Sequence, residues 1–523
     1  MKELTANTLR MPNLIMIECE DAVYKEIAAS TVCMEDITIE IVQGKNLAIS
    51  ISSPNKAVKR VRLRWNCPTE RNVRIMGDHW ERSYGDLEFR GIVAERALPW
   101  YYVASDGYNV TCSGVLTGAN SFCFWNVDVA GVTLTMDCRS GGVGVKLGDR
   151  KLLLAEVIYD SYAAVSEYEA SRDFCKQLAH DSGIFPDVPV YGANNWYYAY
   201  GRSSHEEILA DAAYLAKLTD GIENRPYMVI DDGWEKNRGC IGPWREGNQG
   251  FPDMKRLAEE ITAMNVLPGI WFRPLFNPDT PAEWRLDRDT QFADPSMPEV
   301  LTYIEEDVKC FCDWGYKLIK YDFSTCDILG RWGGAMGSDI TDDGWRFHDD
   351  TKTTAEIIKN LYATIYNASK GRAYILGCNC IGHLGVGYMH LNRTGDDTSG
   401  IVWERTRRMG MNNLAFRMCQ HGSFFHIDAD CAGITENIEW TLNRQWLKLL
   451  SESGTPLFVS NRPNTLTKEQ EAELSKAYHA ASVERECAIP LGLLNTTAPN
   501  RWIIGGEEVE FYFDDDFGAI GKM

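Results

Sequence analysis

The stretch Pro226–Asp232, PYMVIDD, followed by Gly233 and Trp234, decides the fold. A short apolar run ends in two adjacent aspartates and a glycine. This is how a buried strand reads when it delivers polar groups at its C-terminal end. The same texture recurs from about 190 to 482 in YGANNWYY (191–198), VLPGIWF (266–272), LIKYDF (318–323), AYILGC (373–378), HLNRT (390–394), SFFHIDAD (423–430) and TPLFVS (455–460). Amphipathic stretches separate these runs. Ser204 with Glu207, Thr353 with Glu356 and Thr467 with Gln470 fit capping boxes at helix starts. Eight alternating units predict an α/β fold built as a (β/α)8 TIM barrel. A doubly wound sheet is the alternative, but no GxGxxG follows any strand.

Working outward, the 523 residues exceed one ordinary domain and suit a barrel with appendages. Residues 1–186 predict a β-sandwich-like domain with a connecting helix, because NLAISISS (46–53), VKRVRLRWN (58–66), GVTLTMD (131–137) and RKLLLAEVIY (150–159) read as strands. The helix is expected over 161–182, with FPDVPVYG (185–192) as the link to a catalytic barrel at 187–483. Residues 484–523 predict a short C-terminal β appendage, from NRWIIGG (500–506) and EVEFYF (508–513).

A net charge of −21 argues against nucleic acid or an anionic membrane as the main partner. No apolar run is long enough to span a bilayer, and the N-terminus lacks the pattern of a signal peptide. The sixteen cysteines are scattered through strands and helices, which suits reduced thiols in a cytoplasm. The sequence carries no signal for an oligomeric state.

Barrel enzymes place their chemistry at the C-terminal ends of strands. Those ends carry Asp231-Asp232 after the second strand, Lys320 and Asp322 at the fourth, and Cys378-Asn379-Cys380 at the fifth. The sixth brings Arg393 with Asp396-Asp397, the seventh His426, Asp428 and Asp430, and the first and third Trp196 and Trp271. Carboxylates, two cations and indoles converging on one mouth suit a sugar, whose apolar face stacks on rings and whose hydroxyls bond charged groups. Glycoside hydrolysis needs one ionised and one protonated carboxyl group. Lys320 would favour the ionised form of Asp322 if the side chains meet. A member of the Asp396-Asp397 pair could have its pKa raised by its neighbours, as an acid needs.

Each feature also has a plainer explanation: an Asp pair as a helix cap, a Lys-x-Asp as a solvated ion pair, tryptophans as core. A zinc site from Cys378, Cys380 and His383 or His426 lacks a fourth ligand at usual spacing. A metal on His426, Asp428 and Asp430 lacks the paired His-x-His of barrel amidohydrolases. No metal or cofactor is therefore expected.

At VIDDGWEK (229–236), PGIWFRP (268–274), IKYDF (319–323), YILGC (374–378), RTGDDT (393–398) and DADC (428–431) the chain resembles the α-galactosidases of glycoside hydrolase family 36, and more distantly family 27. The resemblance spans about 187–482 and implies a retaining exo-α-galactosidase acting on oligosaccharides. It implies Asp322 as nucleophile and Asp397, four residues after Arg393, as acid/base, with Asp396 the adjacent alternative. Asp231 and Asp232 would hold the 4- and 6-hydroxyls, Lys320 the 3- and 4-hydroxyls, and Cys378 and Arg393 the 2- and 3-hydroxyls. Trp196 and Trp271 would form pocket walls. The loop GDHWERSYGDLEFRG (77–91) offers Trp80 as a residue reaching over a neighbouring site. After Cys378 the chain departs from the glycine-rich loop of larger family members, which bears on leaving-group preference. Alternatives are a galactosyltransferase of the raffinose or stachyose synthase type, an α-N-acetylgalactosaminidase, a β-L-arabinopyranosidase, a non-catalytic sugar-binding protein or a metal-dependent hydrolase.

Overall fold

The computed structural model describes residues 10–513 except 71 and 289. The expected segments at 1–9 and 514–523 lie outside the described residues. Two antiparallel sheets, of six and seven strands, occupy Leu14–Ala163. Strict alternation builds them: Leu47–Ser53 buries every second residue, and Ile49 and Ile51 meet Ile15, Ile17, Val61 and Leu63 of the other sheet in one core.

The connecting helix is shorter than its periodicity suggests, running Glu167–Ala179. The preceding strand continues to Ala163, because Asp160, Tyr162 and Ala163 pair with Cys112, Val110 and Asn109. A capping box of Ser166 and Glu169 then starts the helix. The boxes at Thr353 and Thr467 form in full. At Ser204 only the hydroxyl-to-Glu207 half is made.

The barrel strands are Tyr191–Asn194, Tyr227–Ile230, Leu267–Phe272, Leu318–Tyr321, Tyr374–Gly377, Leu391–Arg393, a seventh in two pieces (His426–Asp428 and Cys431–Gly433), and Leu457–Ser460. All neighbours pair in parallel, and the first pairs with the last. The two pieces of the seventh strand are the ends of the sheet order: one pairs with the sixth strand, the other with the eighth. The ring therefore closes through the chain at Ala429-Asp430, where Asp430 takes a left-handed φ of 74°. That conformation is unfavourable outside glycine. A three-stranded antiparallel sheet follows the barrel, from Ile489–Pro490, Arg501–Ile504 and Glu507–Glu510. Among the described residues, no helix is long and apolar enough to cross a membrane.

Candidate active site

A cavity of about 380 Å³ opens at the C-terminal ends of the barrel strands. Asp231, Asp232, Lys320, Asp322, Cys378, Arg393, Asp397, Trp196 and Trp271 all line it. Three non-glycine residues with left-handed backbone, Phe323, Asn379 and Asp430, follow the fourth strand, the fifth strand and the first piece of the seventh. Strain of this kind collects where side chains must be aimed. At Asp430 the surroundings hold it: its carboxylate accepts from Tyr197 Oη at 2.5 Å and from Thr398 N at 2.6 Å, and pairs with Arg393 Nη1 at 2.9 Å.

Asp322 receives three donors, Phe323 N at 2.7 Å, Trp271 Nε1 at 3.1 Å and Asn379 Nδ2. No cation is within ion-pair distance among the described residues. Lys320 shares its strand face but does not reach it. Its Nζ lies 2.8 Å from Asp231 Oδ2, which also accepts from Asn194 Nδ2 at 2.8 Å. Burial works most strongly against the ammonium, but Asp231, Cys378 and Asp322 together hold the Lys320 pKa above its ordinary range. The lysine therefore serves Asp231, and the nucleophile candidate is held by hydrogen bonds instead.

Asp397 and its neighbour are told apart by their partners. Asp396 engages both oxygens, with Arg82 Nη2 at 3.0 Å and Arg405 Nη2 at 2.6 Å. Asp397 uses Oδ1 alone, toward Arg393 Nη2 at 2.8 Å and Arg82 Nη1 at 3.4 Å. Its Oδ2 has no protein partner among the described residues. The neighbours do not raise the Asp397 pKa as the adjacent carboxylates suggested. Burial pushes it up, but Arg393 and Arg82 outweigh burial and hold it well below the ordinary carboxylate range. Cys378 is buried, and burial followed by the nearby Asp322 keeps it a thiol.

Trp80 is not in the cavity. It is 1% exposed. Its ring packs against Trp100 and Phe122 at 5.3 and 5.5 Å, and its Nε1 donates to Gly337 O at 2.9 Å. Arg82, two residues on, enters instead. Its loop is pinned by Ser83 N to Thr394 O at 2.8 Å and Asp396 N to Ser83 O at 3.1 Å. Gly85 allows this approach to the barrel, since it takes a left-handed φ of 74° and a Cβ there would lie 2.8 Å from Arg408 O. Trp332, 38% exposed at the rim, stacks with Arg82 at 5.4 Å. Arg82, Trp332, Tyr197, Asn194, Cys240 and Arg405 also line the cavity and were not singled out from sequence.

The candidate metal ligands are dispersed. His383 stacks on Trp100 at 4.5 Å, and His426 lies against His421 at 4.4 Å at the start of its strand, away from the cavity end. Among the described residues no cluster of His, Cys, Asp and Glu could hold a metal ion.

No family model matches the chain. An α-galactosidase of Oryza sativa is 30% identical over 158 residues, 30% of this chain and 34% of that protein. An α-galactosidase of Cyamopsis tetragonoloba is 26% identical over 166 residues, 31% and 36%. The chain thus spans about a third of the length of the curated relatives it matches. Among solved structures, a GH36 α-galactosidase of Geobacillus stearothermophilus in complex with raffinose superposes with a TM-score of 0.64 at 13% identity, covering 95% of this chain and 79% of that one. The Thermus thermophilus α-galactosidase in complex with p-nitrophenyl α-D-galactopyranoside gives 0.61 at 16% identity, covering 90% and 98%. The chain therefore has the fold of these enzymes, an N-terminal antiparallel domain followed by a parallel barrel.

Proposed function

We propose that the protein is a retaining exo-α-galactosidase that removes terminal α-D-galactosyl residues from oligosaccharides. One observation carries the reading. Asp322, fixed by three N–H donors, and Asp397, with a free Oδ2, face one sugar-sized cavity floored by Asp231, Asp232 and Lys320. Asp322 attacks the anomeric carbon while Asp397 protonates the leaving oxygen, and Asp397 then activates water to release the covalent intermediate. Asp397 must gain a proton for the first step. Substrate hydroxyls that draw Arg393 away from Asp397 would raise its pKa at that moment. Asp231, Asp232 and Lys320 form a fixed set of acceptors and a donor for galactose hydroxyls. The relatives named above, and the galactosides bound in the two solved structures, support the substrate class. A cytoplasmic location is our reading of the scattered cysteines. A panel of nitrophenyl α- and β-glycosides tests the proposal: the α-galactoside is expected to be the preferred substrate, and preference for any β-glycoside would overturn it.

A further inference from the structure

Beside Asp232 lies a second carboxyl group that the reaction does not use. Glu235 is fully buried. Its Oε2 accepts from Gly233 N at 2.9 Å, and its Oε1 from Cys240 N at 3.2 Å. The same Cys240 N–H also donates to Asp232 Oδ1 at 2.8 Å. One amide thus serves two carboxyl groups, whose oxygens lie within hydrogen-bond reach of each other.

Among the described residues, no cation is within ion-pair distance of this pair. Every other acidic group around the cavity has its own arrangement: Asp231 has Lys320, Asp396 and Asp397 have arginines, Asp430 has Arg393, and Asp322 has three N–H donors. Lys236, next in sequence, reaches Glu246 at 2.8 Å. Across the loop, Arg273 of the segment after the third strand and Asp322 after the fourth act on the Cys240 thiol. Arg273 is itself held by Asp327 at 2.9 and 2.6 Å. Asp232 is the titratable side chain that acts most strongly on Glu235. Two buried carboxylates in contact without a cation cannot both be ionised at modest cost.

We propose that Glu235 and Asp232 hold one proton between them, carried by Glu235 and donated to Asp232, and that Glu235 is the positioning residue that keeps the Asp232 carboxylate turned into the cavity. Burial, followed by the Asp232 charge, pushes the Glu235 pKa up to about 8, in keeping with this. Above that pH the pair becomes two repelling anions across the 232–240 turn, and the sugar-binding aspartate loses its fixed orientation.

The inference rests on the galactosidase reading only for its kinetic arm, so the first arm is spectroscopic. Carbon-13 NMR of side-chain-labelled glutamate should show, besides that of Glu81, whose pKa burial also raises, a carboxyl titrating near pH 8. That resonance should vanish in Glu235→Gln and move down by at least about one pH unit in Asp232→Asn, where the neighbouring charge is gone. In the kinetic arm, KM for p-nitrophenyl α-galactoside should rise through the same pH in the wild type. Glu235→Gln, which keeps an N–H donor, should hold KM within roughly threefold at neutral pH and lose the alkaline rise. Glu235→Leu should raise KM by roughly 10²-fold with a smaller change in kcat. The absence of a high-titrating glutamate resonance that disappears in Glu235→Gln, or an unchanged alkaline rise in that variant, overturns the proposal. If no galactoside is turned over but the resonance behaves as described, the functional reading falls and the shared proton stands.

Discussion

Arg82 Nη1 lies 3.4 Å from Asp397 Oδ1 across 315 residues of chain. A loop of the N-terminal sheets thereby sets the electrostatics of the acid/base candidate in the barrel. Arg393 and Arg82 hold the Asp397 pKa down to about 2 against burial. A carboxyl group depressed by folding stabilises the native state above its unfolded value, and that contribution is lost as pH falls toward the folded value. Wild-type melting temperature should therefore drop between about pH 4 and about pH 2. In Arg82→Ala the folded pKa moves back toward the ordinary range, so the drop over the same window should be shallower. Parallel curves for the two proteins would contradict the coupling.

Trp80 and Trp332 should separate stability from binding. Trp80 is a core residue, so Trp80→Ala should cost roughly 3–5 kcal/mol of stability. Trp80→Phe should keep KM near the wild-type value. Trp332 stands at the cavity rim over Arg82, so Trp332→Ala should change stability little and raise KM most for substrates with a sugar leaving group. Denaturant melts and steady-state kinetics on nitrophenyl and oligosaccharide substrates distinguish the two. A KM effect confined to Trp80 variants would reverse the assignment.

Leaving-group chemistry distinguishes Asp397 from Asp396. Asp397→Ala should keep the first step on a dinitrophenyl galactoside, whose departure needs little protonation, and lose roughly 10²–10⁴-fold on a sugar leaving group. Added azide should restore turnover of the activated substrate and give galactosyl azide of retained anomer. Asp396→Ala removes a contact shared by Arg82 and Arg405 and should weaken loop docking without this signature. Azide rescue in Asp396→Ala alone would move the acid/base role by one residue.

Much of this architecture was legible in the sequence because each barrel strand is a contiguous apolar run ending in polar groups. Asp231, Asp322 and Arg393 could be read off as strand-end residues for that reason. What was not legible depended on partners far away in the chain. The seventh strand reads as one run, but Arg393, Tyr197 and Thr398 hold Asp430 in the conformation that splits it. Lys320 and Asp322 sit two apart, and nothing local indicates that the ammonium turns to Asp231. In the 77–91 loop the indole was the conspicuous residue, whereas the docking of Ser83 on Thr394 delivers Arg82. The helix at 161–182 began late because cross-strand pairing outweighed a plausible helical period.

Asp231 and Asp232 should set selectivity for the axial 4-hydroxyl. A buried acceptor left unpaired by a misplaced hydroxyl rejects the wrong sugar strongly. The α-glucoside should be worse than the α-galactoside by roughly 10⁴-fold in kcat/KM. Asp231→Asn also leaves Lys320 without its carboxylate partner, so it should lose stability as well as selectivity. Comparable rates on the two sugars would remove the specificity argument.

The double displacement itself is tested most directly by proton NMR during hydrolysis of p-nitrophenyl α-galactoside, observed before mutarotation. With Asp322 as nucleophile, α-galactose should appear first and the β-anomer only later. Asp322→Asn should release no sugar, and Asp322→Gly with azide should give the β-azide. First appearance of β-galactose would mean single displacement by water and would contradict the assignment of Asp322.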